Sequence, residues 1–375
     1  MMKVYFDNAA TTSLDPEVLE AMLPYMKEHY GNPSSIHSYG RQTRSAIDNA
    51  RRSIAGHLKV SPGEIFFTSG GTEANNMALQ SGVNSLGIKN IISSKLEHHA
   101  VLHTLNFLER QGNLKVHWVN LKENGAIDLV HLDQLLADNE EVLVSLMYGN
   151  NEIGNLLDIQ KVGELCSKHG ARFHSDTVQA VGHYNLDFQS FKLDMASASA
   201  HKFHGPKSCG FLYINGENPI GPFIHGGAQE RNMRGGTENV YGIIGMAKAL
   251  DIALENLEKD QAYVKELKLY AISELKNNIE DLQFNGESEG DSLYTILSIS
   301  LPVTDRREML LFNLDIAGIA VSGGSACSSG VPEDSHVLTG IGADMDRPSV
   351  RISFSKLNTK AEVDYFVKTL VDVLM

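Results

Sequence analysis

The 375-residue chain is short of positive charge, of cysteine and of long apolar runs. Its 32 lysines and arginines stand against 46 acids, a formal net charge of −14 with a pI near 5.5. That balance argues against a nucleic-acid partner, whose phosphates require a basic patch. No uninterrupted apolar run is long enough to span a bilayer. The stretch Met1-Met-Lys-Val-Tyr-Phe-Asp7 reaches an acid before an apolar signal-peptide core can form. Three cysteines, odd in number and widely spaced, make no disulfide framework. Internal repeats and low-complexity segments are missing too. The expectation is a soluble protein of a reducing cytoplasm, long enough for one large domain and a smaller one.

What is present is an alternation of strand and helix patterns. Asp15-Pro16 marks a helix start, with an N-cap acid before a proline at the first helical position. Gly31-Asn32-Pro33 closes that region, and Ile47, Ala50 and Ile54 recur at helical spacing in the next. Apolar runs at Ile65–Phe67, Ile91–Ile92, Val116–Val119, Val142–Met147 and Arg172–His174 read as strands. Amphipathic stretches such as Ile127–Leu136 and Ile159–Cys166 lie between them. This rhythm predicts an α/β domain with a mostly parallel sheet. Further strands are expected at Met195–Ser199 and Gly210–Ile214, then one long connecting helix over Val240–Asn278. Strands at Leu293–Leu301, Ile319–Val321 and Val350–Phe354 imply a second, smaller α+β domain. The division expected is 14–256 for the large domain, with 1–13 and 257–375 in the small one.

Six stretches carry residue types suited to chemistry. In Asp194-Met-Ala-Ser-Ala-Ser-Ala-His201-Lys202-Phe-His204-Gly-Pro206, a lone lysine follows small residues suited to a tightly packed strand. A lysine that is hard to solvate can attack a carbonyl carbon; a loop lysine at a strand end is the plainer reading. Thr68-Ser-Gly-Gly71-Thr72-Glu73 follows a strand and opens a helix, where accessible N–H groups favour an anion. It matches neither of the common nucleotide-phosphate loops. Asp176 stands just past a buried strand, where open α/β sheets bind ligands, and can hold a heteroaromatic nitrogen protonated; capping the next helix is the alternative. In Glu97-His98-His99-Ala-Val-Leu-His103 one imidazole suits a flat stacking surface, and although His99 and His103 are four apart no metal set accompanies them. Cys327 lies in the Gly/Ser-rich run Ser322–Gly330 without apolar neighbours, the one cysteine placed for thiolate chemistry. Cys166 and Cys209 read as buried structural residues. Arg351, alternating with apolar residues on its strand, matches a carboxylate in bidentate geometry.

The ordered set of motifs resembles the cysteine desulfurases of the iron–sulfur-cluster and nitrogen-fixation type. These are class V aminotransferases, pyridoxal-phosphate enzymes of fold type I. The likeness runs from Tyr5-Phe-Asp-Asn-Ala-Ala-Thr-Thr12 almost to the C-terminus. It includes Gly31-Asn-Pro, Thr68-Ser-Gly-Gly-Thr-Glu, Asn150-Asn-Glu-Ile-Gly154, Asp176-Thr-Val-Gln179, His201-Lys202, Arg234-Gly-Gly-Thr237 and Gly324-Ser-Ala-Cys327. The resemblance implies that Lys202 carries pyridoxal 5'-phosphate and later shuttles protons, and that Asp176 holds the ring nitrogen. It places Gln179 and Asn151 near the ring oxygen, His98 on the ring face, and the phosphate on Gly71, Thr72, Ser199 and His201. Thr237 is implied to reach the phosphate from a neighbouring subunit, making a homodimer. Arg351 is implied to bind the substrate carboxylate with help from Asn32, and Cys327 to accept the sulfur of L-cysteine for delivery to an acceptor or scaffold protein. Ser322-Gly323-Gly324 stands where the family usually has Ser-Ser-Gly, and the run from Cys327 to Arg351 is a few residues shorter than in the housekeeping branch. A selenocysteine lyase, an aminotransferase and a cofactor-free assembly factor remain the competing readings.

Overall fold

Short apolar runs bounded by turn residues form the strands, and the 3.6-residue pattern between them forms the covering helices. The computed structural model describes residues 2–112, 114–323 and 335–374. After strand β1 (Val4–Tyr5), helix α1 (Pro16–Lys27) starts as its sequence requires: the Asp15 side chain accepts the Glu17 N–H at 3.0 Å. Helix α2 (Ser38–His57) buries Ile47, Ala50 and Ile54, and strand β2 (Ile65–Thr68) leads into α3 (Gly71–Leu86). Then come β3 (Asn90–Ser93), α4 (His99–Arg110), β4 (Lys115–Trp118), α5 (Leu129–Asp138), β5 (Val142–Ser145), α6 (Ile159–His169) and β6 (Arg172–Asp176). Strands β7 (Met195–Ser199) and β8 (Gly210–Ile214) complete a seven-stranded sheet in the order β2-β8-β7-β6-β5-β3-β4. Its pairs are parallel except those of β8, which runs against both neighbours. The sheet is thus the mostly parallel mixed sheet of an α/β fold. Its central strands are buried on both faces, which explains why they read as near-continuous apolar runs.

The expected single helix over Val240–Asn278 is instead two, α7 (Val240–Glu255) and α8 (Leu257–Asn278). Asn256 makes the break: its backbone N–H and its side-chain Nδ2 both donate to the Ile252 carbonyl. An asparagine side chain that bonds its own backbone competes with helix continuation. Strands β9 (Gln283–Phe284), β10 (Ile296–Ser300), β11 (Ile319–Ala320) and β12 (Ser349–Ser353) follow, with helices α9 (Leu310–Ile316), α10 (His336–Gly340) and α11 (Lys360–Leu374). β12, β10 and β9 form an antiparallel sheet, while β1 pairs in parallel with β11. Phe6 meets Phe354 and Phe366 edge-on at 5.3 and 5.8 Å, so the N-terminal strand joins the C-terminal core. On that packing we propose the division 14–256 against 1–13 with 257–375. Among the described residues, no helix is long and apolar enough to cross a membrane.

Candidate active site

Strands β2, β6 and β7 all end on one edge of the sheet, the edge where open α/β sheets hold their ligands. There α3 begins, Asp176 closes β6, and a 3-10 turn over Ala200–Lys202 follows β7. Together they wall a cleft of about 890 Å³, open to solvent. The cleft brings together Gly71, Thr72, His98, Asn151, Asp176, Gln179, Ser199, His201, Lys202 and Arg351.

Lys202 Nζ donates to the carbonyls of Ala9 and Ala10 at 2.6 and 2.8 Å, so the N-terminal segment sets where the amine stands. Gln179 Nε2 donates to the same Ala9 carbonyl at 3.1 Å. Asp176 is 5% exposed, accepting from the Val178 N–H on one oxygen and from Asn75 Nδ2 on the other. His98 caps α4, its Nδ1 accepting the Ala100 N–H at 3.0 Å. The neutral ring therefore carries its proton on Nε2. Burial pushes this imidazole below its ordinary value; the Asp176 charge opposes that, and Lys202, His336 and His103 add to it. His201, which shares its Nδ1 with the Thr11 hydroxyl, is pushed down to about 4 by burial and by Lys202 and Lys207.

Arg351 is 2% exposed, its guanidinium pinned by the Asp7 carboxylate (2.7 Å) and the Asn151 carbonyl (2.9 Å). Among the described residues its buried Nε has no hydrogen-bond partner. A buried donor left unpaired is costly unless a ligand completes it. Asp7 was not picked out from the sequence, and neither were Asn75 and Ser197. The signal for Asp7 was slight, a polar residue closing the strand pattern at Phe6.

Two expected residues stand away from the cleft in this single chain. Asn32 is exposed, its side chain accepting the Ser34 N–H, and Thr237 is exposed beside Arg234 in a separate depression. Cys327 lies outside the described residues. The rings of His99 and His103 are 5.0 Å apart and that of His336 is 4.5 Å from His99, yet among the described residues no group of three side chains is placed to hold a metal.

The residues present fit pyridoxal phosphate. Gly71 and Thr72 offer the first N–H groups of a 16-residue helix to a phosphate. At Gly71 a Cβ would come within 2.6 Å of Val178 Cγ2, so the close approach of α3 to the β6 end depends on the missing side chain. A buried carboxylate held by neutral donors suits a ring N–H, and the amine of Lys202 suits an aldehyde.

A mixed sheet with an acid and a lysine converging on one helix start defines a fold type I transferase. The chain belongs to the class V aminotransferase family, whose model matches residues 4–366, and which comprises pyridoxal-phosphate-dependent enzymes. It is 42% identical to the cysteine desulfurase IscS of Dictyoglomus turgidum over 99% of this chain and 94% of that relative. It is 41% identical to the putative cysteine desulfurase IscS 1 of Bacillus subtilis, over 100% and 99%. Among solved structures, a NifS-like protein superposes with a TM-score of 0.92 at 38% identity, covering 100% of this chain and 99% of the other. SspA in complex with cysteine superposes at 0.82 and 30%, over 96% and 100%.

Proposed function

We propose that this chain is a cysteine desulfurase that converts L-cysteine to L-alanine and leaves the sulfur as a persulfide on Cys327. The observation that carries the reading is the tethering of the described residues on either side of the Cys327 segment. Before it, Ser322 donates through Oγ to Asp7 and exchanges backbone hydrogen bonds with Arg351. After it, Ser335 Oγ donates to Glu152 at 2.5 Å, and the His336 ring meets the Glu97 carbonyl at 2.9 Å. Flanks held in this way on both sides of a cysteine suit sulfur transfer; an aminotransferase has no use for such a cysteine.

Lys202 would hold the cofactor through Nζ, and the same Nζ would carry the proton taken from the substrate Cα. Asp176 would grip the ring nitrogen, Gln179 and Asn151 the ring oxygen, and Gly71, Thr72, Ser199 and His201 the phosphate. His98 would lie flat on the ring. Bound there, pyridoxal phosphate supplies an electrophilic carbon and a ring that takes up the electron pair left as the Cα–H bond breaks. Arg351 would take the substrate carboxylate, bringing its unpaired Nε into use. Overall, the Cβ–S bond breaks, a bond forms between the substrate sulfur and Cys327 Sγ, and Cβ gains a proton; L-alanine and a persulfide balance L-cysteine and a thiol.

The reading includes a homodimer in which Thr237 of one protomer completes the phosphate site of its partner and Asn32 assists at the substrate carboxylate. Exposure of Tyr30 (73%) and Ile36 (91%) supports it, because large apolar side chains left in water mark a surface to be covered. A sulfur acceptor or iron–sulfur scaffold protein is the partner downstream. Unpaired, buried Cys166 and Cys209 accord with the cytoplasm. The test is mass spectrometry after exposure to L-cysteine. One sulfur atom should be added on Cys327, and Cys327→Ser should abolish both that addition and sulfide release. Undiminished turnover in Cys327→Ser would instead indicate an aminotransferase.

A further inference from the structure

Asp176 is held from behind by a chain of buried polar side chains. Ser197 Oγ donates to Asn75 Oδ1 at 2.5 Å, and Asn75 Nδ2 donates to Asp176 Oδ2 at 2.6 Å. The three residues come from three elements, with Ser197 on β7, Asn75 on α3 and Asp176 on β6; Asp176 and Ser197 face each other in the strand register. Exposure is 0% for Ser197, 1% for Asn75 and 5% for Asp176, so water does not compete for these bonds.

The chemistry of the groups fixes the direction of the chain. An ionised carboxylate only accepts, so the Asn75 amide must present its NH₂ to Asp176. Its carbonyl oxygen then faces Ser197, whose hydroxyl can turn to donate. A reversed amide would set two acceptors against each other in a dry site, at the cost of an unmade buried bond. The other carboxylate oxygen accepts the Val178 N–H at 3.0 Å. Both donors are neutral. They fix the side chain and stabilise its negative charge without cancelling it, as a lysine or arginine at position 75 would.

We propose that Asn75 is a positioning residue, oriented by Ser197, that keeps Asp176 a carboxylate aimed at the cleft so that the proton shared with the cofactor's ring nitrogen stays on the ring. This rests on the function proposed above. Without the Asn75 bond, a carboxylate at this depth has one donor fewer, and the shared proton moves toward Asp176. The ring nitrogen then becomes a neutral acceptor and withdraws electrons poorly.

The test is ¹⁵N NMR of the dimeric holoenzyme loaded with ring-¹⁵N pyridoxal phosphate, without substrate, across a pH series, together with the affinity for pyridoxal phosphate. In Asn75→Ala the ring-nitrogen titration should move down by about one pH unit, a tenfold loss of the protonated form at a fixed pH above both midpoints. Ser197→Ala should move it part of the way and Ser197→Thr should restore it. If Asn75→Ala does not fold, the Ser197 pair decides. A ring signal identical to wild type in Asn75→Ala, or in Ser197→Ala when Asn75→Ala is lost, overturns the proposal. Asp176→Asn separates the two levels. If it leaves the ring signal unchanged, or if wild type binds no pyridoxal phosphate, the assignment of Asp176 fails and the relay with it. If Asp176→Asn shifts the signal and the relay variants do not, the relay alone is wrong.

Discussion

Arg351 is set in place before any substrate arrives. Its ion pair with Asp7 and its bond to the Asn151 carbonyl use the two terminal nitrogens, leaving Nε buried and, among the described residues, unpaired. Lysine cannot reproduce that fork, since its ammonium is a point charge on a flexible stem. Arg351→Lys should therefore raise KM for L-cysteine about 10- to 100-fold, the span expected for losing a charge-assisted bond. Loading with pyridoxal phosphate should stay intact, and steady-state kinetics beside an absorbance titration read both. An unchanged KM would mean that the carboxylate binds elsewhere. Arg351 was legible in the sequence because a charged residue alternates with apolar ones on a strand. Its partner Asp7 was not, because the two are brought together only by pairing between the chain's first and last segments. Asn75 and Ser197 escaped for the same reason: small polar residues 122 positions apart carry no local pattern.

Helix α3 is placed by a missing side chain. The Gly71 Cβ position lies 2.6 Å from Val178 Cγ2 and 3.7 Å from Ser199 Cβ, so helix and strand ends touch where the phosphate is proposed to bind. Gly71→Ala should push the helix start away and weaken pyridoxal-phosphate binding about tenfold or more, with the fold kept. Trimming the neighbour in a Gly71→Ala/Val178→Ala double variant should recover most of the affinity, a coupling that fluorescence titration of all four proteins measures. Additive losses would show that the contact is not the cause. At this scale the strands were legible since buried parallel strands are nearly all apolar, and α1 announced itself through Asp15-Pro16. The break at Asn256 was not, because the charged helical pattern continues on both sides and only the side-chain bond to Ile252 interrupts it. Sheet order also escaped. That β8 runs antiparallel between β2 and β7 follows from tertiary packing, which no local run of residues records.

The molecule as a whole carries buried histidines that folding keeps neutral. Burial pushes His174, His183 and His201 down to about 4 from the ordinary 6.5; His174 is fully enclosed, its Nε2 without a partner among the described residues. Below pH 6.5 the unfolded chain binds these protons and the folded one does not, so the stability they contribute is complete above 6.5 and falls away toward 4. For His174 alone the span corresponds to about 3 kcal/mol once both values are passed. The carboxyls that pairing holds low, Glu73 and Asp251, weaken the fold only below their ordinary range and so do not enter between pH 6.5 and 4.5. Glu97 acts in the opposite sense. Burial raises it well above the usual carboxyl value, so its contribution is present in acid and is lost as pH climbs from that usual value through its folded one. The urea midpoint should consequently be clearly lower at pH 5 than at pH 7, and Glu97→Gln should widen that difference, because the Glu97 loss sets in just above the ordinary carboxyl value and opposes the imidazoles across this range. Equal midpoints at pH 7 and 5 would show that these imidazoles reach protons in the folded state, and would leave acid sensitivity to the carboxylates alone.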